Sequence, residues 1–164
     1  MLADCHTHLD QYDSSEVPGI LERARAAGVV IIVVAATTLK SCELILNLTR
    51  AHTNLYAGIG LHPMDMKAPL DDATLQRLYE FARSDPKVIA VSEVGLDFMP
   101  NTLDRIHQEN AFRAEIRLAR ETRLPECSHA SSFPSLSTVR PFECPLGSRY
   151  TSTSPVDLVQ RWIR

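Results

Sequence analysis

Residues 29–34 read Val-Val-Ile-Ile-Val-Val, an unbroken run of β-branched apolar side chains. A strand that is apolar on both faces is typical of a parallel sheet covered by helices on both sides. The run is far shorter than the roughly 18 apolar residues that a membrane-spanning helix needs. Because helix-like segments flank it, the sequence predicts a buried strand of an α/β protein.

Further strands and helices follow the same pattern along the first 125 residues. Strands are predicted at Leu2–Cys5, Asn54–Ile59 and Val88–Val91, and Leu124-Pro125 opens a fifth. Helices are predicted at about 14–28, 39–52, 71–86 and 105–122, with Ser14 or Ser15 and Asp71 or Asp72 as N-caps. Strand and helix alternate at intervals of roughly 30 residues, which indicates right-handed βαβ units and a parallel sheet.

Chemically suggestive side chains follow the strands. His6 and His8 come after the first, His62 after the third and Glu93 after the fourth. In a (β/α)8 barrel the carboxyl ends of the strands converge on one face, where the active site lies. A doubly wound open sheet usually needs a Gly-rich phosphate loop, and the early strand–helix turns lack one. The sequence therefore favours a partial (β/α)8 TIM-type barrel of about four to five β/α units.

The composition changes after Pro125. Between residues 130 and 164, 14 of 35 residues are Ser, Thr or Pro, against 19 of the first 125, and the apolar strands stop. A closed barrel of this type takes about 250 residues. We expect residues 1–129 to form the N-terminal half of a barrel and residues 130–164 to form an irregular, poorly ordered tail. A shifted reading frame would give such a tail, and the other two frames past codon 125 test that hypothesis.

The overall composition is that of an ordinary globular protein. Hydrophobic residues make up 45% and the net charge is −3, so no basic surface for nucleic acid is indicated. A nuclease of this charge would need local Lys and Arg side chains or metal ions to meet phosphates. The four cysteines show no CxxC pairing, and no signal peptide or membrane span is recognisable. These features predict reduced thiols and a cytoplasmic location.

The segment Asp-Cys-His-Thr-His-Leu-Asp at residues 4–10 carries the strongest candidate ligands. Side chains two apart in a strand point to the same face, roughly 7 Å from each other, so His6 and His8 can share one pocket. Neutral imidazole is the commonest protein ligand for divalent transition metals. The alternative is a surface loop with two solvated histidines, because a bare His-x-His is a weak motif.

Three segments together resemble successive signatures of the TatD family. They are residues 4–10, Gly-Ile-Gly-Leu-His-Pro at 58–63 and Ser-Glu-Val-Gly-Leu-Asp-Phe at 92–98. Gln108, Phe112 and Leu124-Pro125 resemble the family's helix before strand five, so the similarity covers residues 1–125. Members of that family are metal-dependent hydrolases with a (β/α)8 barrel, described as deoxyribonucleases.

The resemblance implies a site with two divalent metal ions, Mg, Mn or Zn. His6 and His8 would bind one ion, and Glu93 would bridge it to the second. Two ions about 4 Å apart activate a water for cleavage of a DNA phosphodiester bond. His62 is not a usual ligand in the family, and we expect it to touch substrate or to brace its loop.

The later family residues match poorly. His129 stands where the family has its strand-five histidine, but Glu126 interrupts the apolar strand and no Arg follows. No histidine follows His129, and Asp157 is a poor stand-in for the catalytic aspartate, so no catalytic residue is assigned. The expected function is DNA hydrolysis, with a catalytically impaired or inactive half-barrel fragment as the alternative. An amidohydrolase-like hydrolase is a third reading, although those enzymes commonly carry a carboxylated lysine where this chain has Glu93. The oligomeric state stays open.

Overall fold

The computed structural model describes residues 1–131, in which five strands alternate with four helices. The elements are β1 Leu2–Thr7, α1 Val17–Ala26, β2 Val29–Ala35, α2 Leu39–Ala51, β3 Leu55–Ile59, α3 Asp72–Ser84, β4 Val88–Asp97, α4 Arg105–Thr122 and β5 Glu126–Ser131, with a 3-10 turn at Leu9–Gln11. The strands are parallel and pair in chain order, β1-β2-β3-β4-β5. The sheet curls into half of a barrel, so the predicted partial TIM-type fold is confirmed. The first two residues of the predicted tail, Ala130 and Ser131, belong to β5, and the rest of the tail lies outside the described residues.

The two faces of β2 differ in burial. Ile32 and Val34 are 3% and 0% exposed, whereas Ile31, on the opposite face, is 42% exposed. Helices cover the convex side of the sheet, and α1 and α2 contact β2 and β3. The apolar run therefore forms the predicted parallel strand, but its concave face is only partly covered by the described residues.

Several element ends differ from the prediction. The N-cap of α1 is Glu16, without a side-chain cap hydrogen bond, and not Ser14 or Ser15. Pro18 lies in the first turn and has no backbone N–H. The helix start therefore has one fewer donor for a capping side chain to satisfy. Asp71 caps α3 as predicted and accepts a hydrogen bond from the backbone N–H of Thr74 at 2.7 Å.

The strands that carry the candidate ligands are longer than predicted. β1 runs through His6, and β4 runs from Val88 to Asp97 and contains Glu93. Glu126 does not interrupt β5 but begins it. Burial raises the pKa of Glu126, and the Ser128 hydroxyl hydrogen-bonds to its carboxylate. A protonated or hydrogen-bonded carboxyl group can occupy a strand position that an unpaired carboxylate cannot.

Two buried polar side chains of α4 hold the loops that follow β3 and β4. Gln108 is fully buried, accepts a hydrogen bond from the N–H of Asp97 at 2.8 Å and donates to the carbonyl of Asp97 at 2.7 Å. Glu115 accepts from the N–H of Leu61 at 2.8 Å. Seven residues are about two helical turns, so both side chains lie on one face of α4. One helix thereby fixes both loops at the carboxyl end of the sheet.

Within residues 1–131, no helix combines the length and the hydropathy needed to cross a bilayer.

Candidate metal centre

His6, His8 and Glu93 come together at the carboxyl end of the curled sheet. The Nε2 atoms of the two histidines lie 3.2 Å apart, and their rings meet edge to face. Oε2 of Glu93 lies 3.5 Å from Nε2 of His6 and 3.7 Å from Nε2 of His8. Each residue has one potential ligand atom within 4.8 Å of those of the other two. Among the described residues, no other group of three or more His, Cys, Asp or Glu side chains meets this distance.

The backbone of β2 sets the orientation of His8. Its Nδ1 lies 2.9 Å from the carbonyl oxygen of Ala35, which can only accept a hydrogen bond. Nδ1 of His8 therefore carries a proton, and in the neutral ring the lone pair is on Nε2, facing His6 and Glu93. Metal-binding histidines characteristically bond their second nitrogen to a carbonyl or carboxylate in this way.

Close packing of β3 against β4 positions Glu93. Its backbone N–H donates to the carbonyl of Ala36 at 2.8 Å, at the end of β2. A Cβ atom on Gly58 would lie 2.8 Å from Cβ of Ser92, and one on Gly60 would lie 2.7 Å from Cγ1 of Val94. Both separations are too short for any real side chain, so these glycines allow the strand that carries Glu93 to approach.

His62 faces Glu93 from the loop after β3. The side chain is buried, and its Nε2 lies 3.9 Å from Oε1 of Glu93. Its Nδ1 accepts a hydrogen bond from the N–H of Met64 at 3.3 Å, which places the proton of the neutral ring on Nε2. His62 is thus bonded to its own loop, and its Nε2 faces the Glu93 carboxylate.

Cys127 adds a thiol next to His6, which sequence reasoning had not singled out. The interaction of the His6 ring with the Cys127 thiol, together with that with Glu93, raises the pKa of His6 to about 10, although burial acts to lower it. The residue is half-buried and forms no disulfide; Cys5 and Cys42 are also free thiols.

The spacing of the three ligand atoms fits a single divalent ion. With metal–nitrogen and metal–oxygen bonds of about 2.0–2.1 Å, two ligands of a tetrahedral ion lie roughly 3.3 Å apart. The observed separations of 3.2, 3.5 and 3.7 Å are close to that value. Two imidazoles and a carboxylate are also donors that Zn²⁺, Mn²⁺ and related ions accept.

His129 and Asp157 are the remaining residues that the sequence analysis considered for the site. The backbone of His129 pairs with Gly95 across β4 and β5, and nothing more of that residue is described. Asp10 lies in the 3-10 turn after β1, where one of its carboxylate oxygens is buried without a hydrogen-bond partner. Asp157 lies outside the described residues. His129 as a ligand therefore stays a prediction.

Comparison with known proteins identifies the family. A family model described as TatD related DNase matches residues 3–138, which is most of the chain. The chain belongs to the TatD-related DNase family. TatD relatives are described as metal-dependent hydrolases, which agrees with the triangle of His6, His8 and Glu93.

Individual relatives in the TatD family cover the same part of the chain. An uncharacterized metal-dependent hydrolase TatD of Mycobacterium tuberculosis is 36% identical over 138 residues, which are 78% of this chain and 51% of that protein. A 3'-5' ssDNA/RNA exonuclease TatD of Escherichia fergusonii is 34% identical over 110 residues, covering 67% of this chain and 42% of the relative. The crystal structure of YJJV, a TatD homolog from Escherichia coli K12, superimposes with a TM-score of 0.72 at 32% identity, over 78% of this chain and 50% of that one. The chain thus spans about half the length of the relatives it matches.

Proposed function

We propose that this chain carries the first half of a metal-dependent phosphodiesterase site that acts on the ends of single-stranded DNA or RNA. His6, His8 and Glu93 are the metal ligands in this proposal, and the triangle of their ligand atoms is the observation that carries it. The substrate class is suggested by the relative named as a 3'-5' ssDNA/RNA exonuclease.

Each residue has a distinct part in the proposed reaction. A bound divalent ion supplies the Lewis acid that lowers the pKa of a water and offsets charge on the phosphate. His8 presents the lone pair of Nε2, because its Nδ1–H is bonded to the Ala35 carbonyl. Glu93 would hold this ion through Oε2, which faces His6 and His8, while its Oε1 faces His62.

His62 orients Glu93 and the substrate in this proposal. Its Nε2–H faces Oε1 of Glu93 across 3.9 Å and would donate to a phosphate oxygen that enters there. With a net charge of −3, the chain offers little general attraction for nucleic acid, so phosphate recognition depends on the metal and on such local donors. Zn²⁺, Mn²⁺ and Mg²⁺ are all candidate ions, with two per site if His129 contributes.

A nuclease assay tests the proposal. The full chain is incubated with Mg²⁺, Mn²⁺ or Zn²⁺ and single-stranded DNA labelled at its 5′ end, beside Glu93→Ala and the control Glu22→Ala, an exposed residue of α1. We expect metal-dependent shortening that Glu93→Ala lowers by about a thousandfold or more and the control leaves unchanged. A folded protein that shows no turnover with any of the three ions would overturn it.

A non-catalytic half-barrel is the second candidate. The observation in its favour is that the chain spans about half of its relatives, and only three ligands gather within residues 1–131. In this reading residues 1–129 form the half-barrel domain and the metal is retained for stability. Metal binding without turnover in the same assay is the result that would distinguish it.

A further inference from the structure

The beginning of β5 lies beside the part of β4 that carries Glu93. Val91 of β4 pairs with Glu126 of β5, and Val94 pairs with Ser128. Between these two pairs, β4 advances by three residues while β5 advances by two, so the register of the strands shifts there. Cys127 is the only β5 residue in that interval, so it lies opposite Ser92 and Glu93.

Alternation along β5 directs Cys127 to the concave side of the sheet. Glu126 and Ser128 are hydrogen-bonded to each other, and Glu126 interacts electrostatically with Arg120 of α4, on the helix-covered side. Successive side chains of a strand point to opposite faces, so Cys127 points the other way. Its thiol interacts with the ring of His6 of β1, at the opposite edge of the curled sheet.

The sulfur of Cys127 lies outside the triangle of ligand atoms in this structure. Because the group whose ligand atoms all lie within 4.8 Å of one another contains His6, His8 and Glu93 alone, the sulfur is farther than that from at least one of them. A cysteine has a single side-chain torsion, and a change between staggered rotamers moves the sulfur by roughly 3 Å. A metal–sulfur bond of about 2.3 Å also reaches farther than a bond to nitrogen.

We infer that Cys127 is a fourth metal ligand, a thiolate that completes the set formed by His6, His8 and Glu93. The inference rests on the proposed function, since it requires that the triangle binds a metal. On binding, the thiol releases its proton to solvent and the sulfur bonds to the ion. A thiolate beside two imidazoles favours Zn²⁺ and Co²⁺ and disfavours Mg²⁺, which prefers oxygen ligands.

Co²⁺ spectroscopy of the full chain under reducing conditions tests this assignment. Co²⁺ bound through sulfur gives a near-ultraviolet charge-transfer band in addition to its visible bands. We expect both in the parent chain, and loss of the charge-transfer band alone in Cys127→Ser. We also expect the Zn²⁺ affinity of Cys127→Ser, measured by calorimetric titration, to fall by about tenfold or more, since even loss of a residue that merely supports a ligand costs 10- to 100-fold. The matched variants Cys5→Ser and Cys144→Ser should keep the band and the affinity.

The outcomes separate this inference from the proposed function. Visible Co²⁺ bands without a charge-transfer band, or a band that persists in Cys127→Ser, would overturn the role of Cys127 and leave the proposed site intact. Absence of any Co²⁺ or Zn²⁺ binding by the folded parent chain would overturn both. Circular dichroism of Cys127→Ser checks that this nearly isosteric change leaves the fold unaltered.

Discussion

Nδ1 of His8 donates to the carbonyl oxygen of Ala35 across 2.9 Å, so the end of one strand orients a candidate metal ligand of its neighbour. The acceptor is a backbone atom, and a substitution at residue 35 cannot remove it. The orientation of His8 therefore follows from the parallel pairing of β1 with β2, in which Thr7 is paired with Val34. The ligand nitrogen is positioned by the sheet itself.

One substitution can test the roles of the two ring nitrogens of His8 separately. The side-chain amide of an asparagine reaches the place of Nδ1 but not that of Nε2, so His8→Asn keeps the bond to Ala35 and loses the ligand. We expect Zn²⁺ affinity to fall by about 100-fold or more, while the free energy of unfolding without metal changes by about 1 kcal/mol at most. Calorimetric titration and urea unfolding measure the two quantities.

His107→Asn is the matched control for His8→Asn, because His107 pairs with Asp104 at the solvent-accessible start of α4. It should bind Zn²⁺ as the parent chain does. Unchanged affinity in His8→Asn would show that Nε2 of His8 is not a ligand.

A substitution at Gly60 tests the close approach of β3 to β4. A Cβ there would lie 2.7 Å from Cγ1 of Val94 and 3.1 Å from the carbonyl carbon of Ser92, and backbone cannot yield without moving β4. We expect Gly60→Ala to lower the free energy of unfolding by about 1–3 kcal/mol and to weaken metal binding, because Glu93 shifts with its strand.

Gly19→Ala is the control for that substitution. Gly19 lies in α1, and its nearest neighbour would be 3.6 Å from the added Cβ, an ordinary contact. Alanine is the better helix former, so this variant should be more stable by about 0.5–1 kcal/mol. If Gly60→Ala unfolded at the same denaturant concentration as the parent chain, the packing argument would be wrong.

Glu115 makes stability depend on pH. Burial is the main cause that raises its pKa well above the ordinary 4.5 in the folded protein. Above about pH 4.5 the unfolded chain releases this proton while the folded chain retains it, so stability falls as the pH rises toward the folded pKa. Glu115→Gln can still accept the hydrogen bond from Leu61 and has no proton to lose.

We therefore expect Glu115→Gln to be more stable than the parent chain at neutral pH and to lose less stability between acidic and neutral pH. Urea unfolding at a series of pH values measures the difference. The charge of Glu126 also raises the pKa of Glu115, and the pKa of Glu126 is itself raised by burial, so the two carboxyl groups act in the same direction. The exposed Glu22→Gln should follow the parent curve; parallel curves for Glu115→Gln would contradict the assignment.

Gln108 is expected to be the most costly polar side chain to remove from α4. Its amide also donates to the carbonyl of Leu103 at 2.7 Å, and its loss leaves the N–H of Asp97 without this buried acceptor. Gln108→Ala should lower the free energy of unfolding by about 2–4 kcal/mol. The exposed Gln76→Ala on α3 should change it by less than about 0.5 kcal/mol. Equal effects of the two would refute the anchoring role of Gln108.

The strands and helices were predictable from the spacing of apolar residues, because that spacing depends only on residues close together in the sequence. Val88–Val91 and the Asp71 cap are examples. The sequence predicted the three residues of the triangle in different ways. His6 and His8 share a local motif, whereas Glu93 was placed beside them by the barrel geometry and by the family resemblance. Strand lengths at the site were underestimated because polar ligands interrupt the apolar pattern that signals a strand.

Contacts made across the curl of the sheet were not predictable. Cys127 meets His6 only because the two edge strands bend toward each other on the concave side, and no local pattern reports that bend. The bond from Glu115 to Leu61 joins residues 54 apart and depends on the register of α4 on the sheet. A buried acid at an otherwise apolar helix position is the one sequence signal that could have marked it.

The chain-order pairing of the strands bears on how this protein is made. Within residues 1–131, each strand after β1 pairs with the one synthesised just before it, so the sheet can grow as the polypeptide leaves the ribosome, without waiting for a distant partner. His6 and His8 emerge early, but their carboxylate partner arrives only with β4, which ends at Asp97. We expect nascent chains that end before β4 to remain sensitive to protease with or without Zn²⁺, and longer ones to gain protection when the ion is added.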